Sequence, residues 1–243
     1  GLVLAVWASS PRETFWKDTP WGEPEAYLGR THQMLSCARA ELAECPQVRL
    51  VRTGEEAAAA RAAGQLYAFL AVEGMAAIGG DPRGIDWYHS QGARLGMLTW
   101  NETNDLAAGA GGDPRAGLTE AGRRAVRRME ELGILVDVSH LNDEGFADLC
   151  KVATKPFIAT HSNSRTICNH SRNLTDEQFC AIRDRGGLAG LNYYRYFIKE
   201  DGISKDIDDL LAHVRHFLSL GGEDILCCGS DFVGAEIPDY LNG

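Results

Sequence analysis

The sequence lacks the features that mark two large classes of protein. Positive charge is in deficit, because 24 Lys and Arg face 34 Asp and Glu, which gives a formal net charge of −10. An extended phosphate backbone or an anionic membrane surface would repel such a chain. No apolar run is long enough to cross a bilayer, and no basic segment precedes the apolar N-terminus. We therefore expect no nucleic-acid partner and find no sign of a membrane partner or an export signal.

Two further motifs are missing. The seven cysteines show no C-x-x-C spacing, and Cys227 and Cys228 lie inside an apolar run, which indicates small buried thiols rather than a disulfide framework. This pattern favours a reducing compartment, and we expect a cytoplasmic location. The glycine-rich stretch Gly109–Gly117 lacks the Lys-Ser/Thr pair of a phosphate-binding loop. We interpret it as a flexible loop or lid at the rim of the fold.

What the sequence does contain is an alternation of apolar runs and amphipathic stretches. One predicted helix follows Ser204 as its N-cap and stops at Gly221, and another runs from Thr119 to Gly133. The apolar runs are nearly continuous, as expected for strands that are buried on both faces. The seven predicted strands are Leu2–Trp7, Leu66–Val72, Leu95–Thr99, Ile134–Val138, Pro156–Thr160, Gly187–Asn192 and Ile225–Gly229.

This alternation predicts an α/β fold with a parallel sheet and right-handed crossovers. Seven strands approach the eight of a TIM-like (β/α)8 barrel, so we predict such a barrel with its first strand missing. The segment Val48–Thr53 is short and carries two arginines, which suits a peripheral strand. We expect residues 1–243 to form a single domain that is truncated at the N-terminus and at the C-terminus, with exposed edges on Leu2–Trp7 and Ile225–Gly229.

Four reactive side chains lie just past the apolar part of separate strands: Glu73, His140, His161 and Asp231. The carboxyl ends of parallel strands meet at one rim, so we expect these side chains to converge. A carboxylate and two imidazoles form a donor set that suits zinc. The alternative is that both histidines are N-cap or core residues and that Glu73 is solvated. Recurrence at successive strand ends favours the site.

The same residues belong to six motifs that occur in one order. The motifs are Val72-Glu73-Gly74, Leu98-Thr99-Trp100-Asn101, Val136-Asp137-Val138-Ser139-His140, Thr160-His161-Ser162-Asn163-Ser164, His170-Ser171-Arg172-Asn173 and Gly229-Ser230-Asp231-Phe232. This series resembles the membrane dipeptidase (renal dipeptidase) family of zinc metallopeptidases in the metal-dependent hydrolase superfamily. The resemblance runs from about Gly1 to the last residues. It implies a TIM-like barrel that holds two zinc ions and cleaves dipeptides.

The resemblance also implies roles for individual residues. Glu73 matches the carboxylate that bridges the two metals, and His140 and His161 match the imidazoles that hold the second metal. Asp231 matches the residue assigned to proton transfer. Arg172 matches the substrate-binding arginine, whose planar fork suits the C-terminal carboxylate of a dipeptide.

Two positions depart from the family pattern. The first strand of the family carries a His-x-Asp pair that completes the other metal site, and this chain has no such pair. Trp100 stands where the best-known members have a histidine that steadies the reacting carbonyl, and we expect Trp100 to line the substrate site. We therefore expect at most one well-formed zinc site and little activity from this segment alone.

The expected function is that of a zinc-dependent dipeptidase, which hydrolyses short dipeptides with a metal-activated water. Two alternatives stay open: another metal-dependent amide or ester hydrolase on the same barrel, and a noncatalytic binding protein that retains the pocket. The expected partner is a dipeptide substrate, and a homodimer is possible. We expect structural roles for His213 and His216 near the end of the Ser204 helix and assign no catalytic role to His170.

Overall fold

The computed structural model describes residues 1–7, 27–232 and 236–241. Within these residues, strands and helices alternate for most of the chain. The strands are β1 (Leu2–Trp7), β2 (Val48–Leu50), β3 (Leu66–Glu73), β4 (Ala93–Gly96), β5 (Leu135–Val136), β6 (Ala189–Leu191) and β7 (Leu226–Cys228). The α-helices are α1 (Tyr27–Glu44), α2 (Gly54–Ala62), α3 (Arg83–Ser90), α4 (Glu120–Leu132), α5 (Asp143–Val152), α6 (Asp176–Asp184), α7 (Arg195–Ile198) and α8 (Ile207–Ser219).

The strands form one parallel path in two stretches. The first has the order β1-β3-β4-β5, and the second pairs β6 with β7. Residues 156–160 join the two, because Asp137 pairs with Ile158 and Ala159 pairs with Ala189, both in parallel. The strand predicted there is thus reduced to two isolated bridges. The α/β prediction with a parallel sheet is confirmed.

The edges of this path are exposed. Leu2 and Val3 of β1 are 50% and 47% exposed, and Cys227 and Cys228 of β7 are also exposed. The prediction of buried thiols at these two cysteines is therefore wrong. Within the described residues, β7 pairs only with β6, so its other edge has no neighbouring strand there. β2 pairs with the first residues of β3, off the main path, as predicted for a peripheral strand.

The helices pack their apolar faces on the sheet. The N-cap Thr119 of α4 accepts the Gly122 N–H, and Gly133 ends the helix with φ of 72°, so both predicted ends are confirmed. Helix α8 begins later than predicted, because its N-cap is Asp206 rather than Ser204. One large core lies between helices and sheet and includes Leu70, Val72, Met129, Phe157, Phe179 and Phe217. Of the helices in the described ranges, none combines the length and the apolar character needed to cross a membrane.

The glycine-rich stretch is packed rather than free. Gly109 donates its N–H to the Glu102 carbonyl at 2.8 Å, and Ala110 donates to the His140 carbonyl at 2.7 Å. A Cβ at Gly109 would lie 2.0 Å from the Trp100 carbonyl oxygen. The loop therefore fits closely against the residues that follow β4 and β5, and the predicted flexible lid is replaced by a tightly bonded loop.

Candidate metal and substrate site

Three predicted site residues converge at the carboxyl ends of the strands. Glu73 is the last residue of β3, His140 follows β5, and His161 follows the segment that joins the two stretches of sheet. Glu73 Oε1 lies 2.8 Å from His140 Nε2 and 3.7 Å from His161 Nε2. The two Nε2 atoms are 2.9 Å apart. Both imidazoles are buried, so the three donor atoms face one another away from bulk water.

The other ring nitrogen of each histidine fixes its tautomer. His140 Nδ1 lies 2.9 Å from Asn101 Oδ1, an acceptor, so Nδ1 carries the proton. His161 Nδ1 lies 2.8 Å from Thr160 Oγ1, and the Thr160 hydroxyl donates to Asp137 Oδ2. The Thr160 oxygen therefore accepts from His161. Both Nε2 atoms are left as lone-pair acceptors that point at each other.

The chemistry and spacing of these three atoms are those of a metal-binding site. Two imidazole lone pairs and a carboxylate oxygen repel one another unless a cation or a proton lies among them. Zinc binds such atoms at about 2.0–2.2 Å, so donor atoms spaced by roughly 3 to 3.7 Å suit a common ion. Glu73 makes no ion pair with a lysine or arginine in the described part of the chain. The donor set therefore fits a divalent metal.

Burial sets the protonation of this cluster. The pKa of Glu73 is raised to about 8 by burial and then by the nearby Asp231 carboxylate. Burial lowers the pKa of His140 well below its ordinary value, and it also lowers the pKa of His161. The neighbouring Arg172 guanidinium pushes both imidazole pKa values in the same direction. Neutral imidazoles are the form that coordinates a metal.

Backbone strain is concentrated at the same place. In the described ranges, His140 and Asp231 are the non-glycine residues with positive φ, at 72° and 59°. The left-handed region is uncommon for such residues and persists where surrounding contacts hold it. For His140 one such contact is the hydrogen bond from the Ala110 N–H to its carbonyl.

Asp231 lies beside the cluster of Glu73, His140 and His161. Asn192, at the end of β6, donates from Nδ2 to Asp231 Oδ2 at 2.9 Å and makes a longer contact of 3.4 Å with the His161 carbonyl. The Asp231 carboxylate also acts on the pKa of Glu73, as expected for a near neighbour. One carboxylate oxygen of Asp231 is thus held by an amide.

Arg172 and Trp100 lie at the same site. Arg172 is only 6% exposed, and burial lowers the pKa of its guanidinium to about 10. Its Nε has no hydrogen-bond partner among the described residues, and its Nη2 approaches the His161 carbonyl at 3.5 Å. The Trp100 ring lies 5.8 Å from the His140 ring, between centroids. The structure therefore brings all six predicted site residues to one region.

Sequence reasoning missed the residues that support this site. They are Asn101, Asp137, Thr160 and Asn192. Each is adjacent to a motif residue, inside a motif or at the end of a predicted strand, and each has an amide, hydroxyl or carboxylate that can orient a ligand. That placement was the available signal.

A parallel α/β fold with a half-buried carboxylate and two buried imidazoles at its strand ends defines a metal-binding protein of the α/β-barrel class. The particular family follows from comparison with known sequences. The model of the membrane dipeptidase family (peptidase family M19) matches residues 4–242, and the chain belongs to this family. The TIM-like barrel predicted from sequence is confirmed by the solved structures of its relatives.

Three relatives illustrate the similarity. A crystal structure of a metallopeptidase from Rhodobacter sphaeroides, liganded with a phosphinate mimic of the dipeptide L-Ala-D-Ala, is 32% identical with a TM-score of 0.87, covering 98% of this chain and 74% of that one. A Klebsiella pneumoniae protein from the pqqA 5′ region is 36% identical over 70% of this chain and 66% of its own length. An uncharacterised dipeptidase of Schizosaccharomyces pombe is 32% identical over 81% of this chain and 48% of its own length. The chain thus spans about half to two thirds of these two curated relatives.

Proposed function

We propose that the protein carrying this chain is a zinc-dependent dipeptidase. The observation that carries the proposal is that three potential metal-ligand atoms face one another. They are His140 Nε2, His161 Nε2 and Glu73 Oε1, and they lie within 4.8 Å of one another. Membership of the membrane dipeptidase family supports the reaction, and the dipeptide mimic bound by the Rhodobacter relative supports the substrate class.

Glu73, His140 and His161 would hold the ion, and nitrogen and oxygen donors of this kind suit zinc. A bound divalent ion supplies Lewis acidity, which lowers the pKa of water and polarises a carbonyl. The described residues offer one such donor group.

The remaining steps belong to side chains of this chain. Asp231 acts as general base and acid, taking a proton from the attacking water and delivering it to the departing amine. Asn192 occupies its Oδ2, which leaves Oδ1 as the acceptor for that proton. Water is the nucleophile, so no covalent intermediate with the protein forms.

Arg172 binds the substrate carboxylate. Its guanidinium stays charged at neutral pH even with a pKa of about 10, and its unpartnered Nε offers a donor to a ligand. A planar guanidinium binds a carboxylate through two parallel hydrogen bonds. Trp100 provides an apolar wall beside His140. The substrate is therefore a short peptide with a free C-terminus.

The test uses the full-length protein, stripped of metal and reloaded with zinc, and a panel of dipeptides, their C-terminal amides and tripeptides. We expect metal-dependent hydrolysis of the dipeptides and at least tenfold slower hydrolysis of the amides. The Glu73→Gln variant is the control that should lose both metal and activity. Turnover without metal would refute the proposal, and comparable rates for dipeptide and amide would refute the role of Arg172. Tight dipeptide binding without turnover would favour a noncatalytic binding protein.

A further inference from the structure

Arg172 is held by two aromatic residues that the proposed reaction does not use. Its guanidinium carbon lies 5.4 Å from the centre of the Phe197 ring, and its backbone N–H donates to His170 Nδ1 at 3.1 Å. The His170 and Phe197 rings are themselves in contact, with centroids 4.5 Å apart. Phe197 therefore contacts both the guanidinium and the imidazole.

The bond from Arg172 to His170 fixes the backbone that carries the guanidinium. His170 Nδ1 accepts this bond, so the His170 proton resides on Nε2. The acceptor lies two residues before the donor, which is the spacing of a side-chain turn. This bond sets the main-chain direction at Arg172, from which its side chain departs.

Phe197 is fixed in turn by buried amides. Its carbonyl accepts from Asn163 Nδ2 at 3.2 Å and from Asn173 Nδ2 at 2.9 Å, and both asparagines are fully buried. Asn173 directly follows Arg172, so the same network holds the Phe197 ring, which is the platform for the guanidinium, and the segment that carries the arginine. The platform is thus a packed part of the fold.

A fixed platform matters because a long side chain loses rotamer freedom when it binds a ligand. Arg172 has already lost that freedom through burial, and the Phe197 ring lies beneath its charge at a distance suited to a cation–π contact. The unpartnered Nε shows that protein groups do not use all of its donors. The guanidinium is held by its surroundings and keeps a donor for a ligand.

We infer that His170 and Phe197 are positioning residues that aim Arg172 and so determine the preference for ligands with a free C-terminal carboxylate. The inference rests on the proposed function, because Arg172 is the carboxylate partner there. His170 and Phe197 act through Arg172 and do not touch the reacting atoms. Their loss should therefore change selectivity between a carboxylate and its amide, while the chemical step is preserved.

The probe is the phosphinate mimic of L-Ala-D-Ala and its C-terminal amide, with dissociation constants measured on the zinc-loaded full-length protein. His170→Leu removes the acceptor and should weaken binding of the carboxylate form by about five- to tenfold, while binding of the amide changes less than about twofold. Phe197→Leu should act in the same direction. For dipeptide hydrolysis, KM should rise by the same factor with kcat nearly unchanged.

Rescue separates positioning from general damage. His170→Asn should restore most of the selectivity, because an asparagine oxygen accepts the N–H two residues later. His32→Leu is the matched control, since His32 is exposed on helix α1 and should leave both dissociation constants unchanged. If His170→Leu does not fold, His170→Gln, whose acceptor is displaced by one carbon, replaces it. Equal weakening of both ligands, or no rescue by asparagine, would overturn the inference.

Failure of the proposed function gives a different pattern. A protein that binds the phosphinate mimic but hydrolyses no dipeptide would refute the dipeptidase, while the ratio of the two dissociation constants would still test the positioning role. A wild-type protein that binds carboxylate and amide equally would overturn the inference directly.

Discussion

The hydroxyl of Thr160 offers a sharp test of how this site holds a metal. Thr160→Val replaces it by a methyl group of similar size and removes three contacts: the hydrogen bond from His161 Nδ1 at 2.8 Å, the hydrogen bond to Asp137 Oδ2, and a longer contact of 3.4 Å with Ser139 Oγ. His161 then loses the acceptor that keeps the proton on Nδ1. The tautomer with the proton on Nε2 becomes accessible, and its Nε2 has no lone pair for a metal.

The expected losses of zinc affinity and of stability follow from these contacts. Loss of a group that orients a metal-binding histidine typically weakens metal affinity by about 10- to 100-fold, or about 1.4–2.8 kcal/mol. Asp137 keeps the N–H groups of Ser139 at 2.9 Å and of Thr160 at 3.1 Å as donors, but both reach Oδ1, so the buried Oδ2 loses its donor. We therefore expect the metal-free protein to lose about 1–3 kcal/mol of stability as well.

The assay is competition for zinc with a chromophoric chelator, with thermal unfolding of the metal-free protein measured in parallel. Thr160→Ser retains the hydroxyl and should stay within about threefold of the wild type. Thr154→Val is the matched control, because Thr154 Oγ1 also donates to a carboxylate, Glu130 Oε2 at 2.7 Å, but away from the site. Wild-type zinc affinity in Thr160→Val, or an equal loss in Thr154→Val, would refute the reasoning.

Three further predictions concern charge and hydrogen bonding. Glu73→Gln should abolish tight zinc binding. In the metal-free wild type, the raised pKa of Glu73 means that stability falls as the pH rises from 4.5 to 8, and the variant should show less of this fall. An unchanged curve of stability against pH, measured by calorimetry, would contradict this. His213→Gln should reduce the fall in stability below pH 6.5, because burial lowers the pKa of His213 and the unfolded state therefore binds the proton first. Denaturant titrations measure the slope of stability against pH, to which His213 contributes at most about 1.4 kcal/mol per pH unit, and an equal slope in wild type and variant would contradict the prediction. Asn192→Leu should reduce kcat by about 10- to 100-fold through loss of the Asp231 hydrogen bond, with zinc affinity nearly unchanged, and wild-type kcat would count against it.

The clustering of Glu73, His140 and His161 could be predicted because the ends of strands can be recognised in the sequence. Apolar runs such as Leu66–Val72 mark a buried strand, and the first polar residue after one, such as Glu73, must lie at the rim. A parallel sheet then collects these rim residues whatever their separation along the chain. The convergence of Glu73 with His140 and His161 depends on topology more than on detailed packing.

Other features depend on competition that a sequence pattern does not resolve. Ser204 and Asp206 are both good N-caps, and Asp206 caps helix α8 while the Ser204 hydroxyl bonds with Tyr240 and Asp209. The sequence predicts a structural role for His213 but not its partner: the imidazole is fully buried within helix α8 and bonds to the Ile198 carbonyl. In both cases the outcome is set by a partner far away in the sequence.

Strain, electrostatics and metal binding are linked at this site. His140 and Asp231 adopt left-handed φ values, and Glu73 takes up a proton at neutral pH when no cation balances its burial. Each of these features costs stability in the metal-free protein. A bound divalent ion would reverse the electrostatic part, because it favours ionised Glu73 and gives both imidazole lone pairs a partner. Since binding to the folded state alone stabilises it by mass action, the melting temperature should rise with zinc concentration in the wild type and stay constant in Glu73→Gln. Equal stabilisation of both proteins by zinc would place the ion elsewhere and break this link.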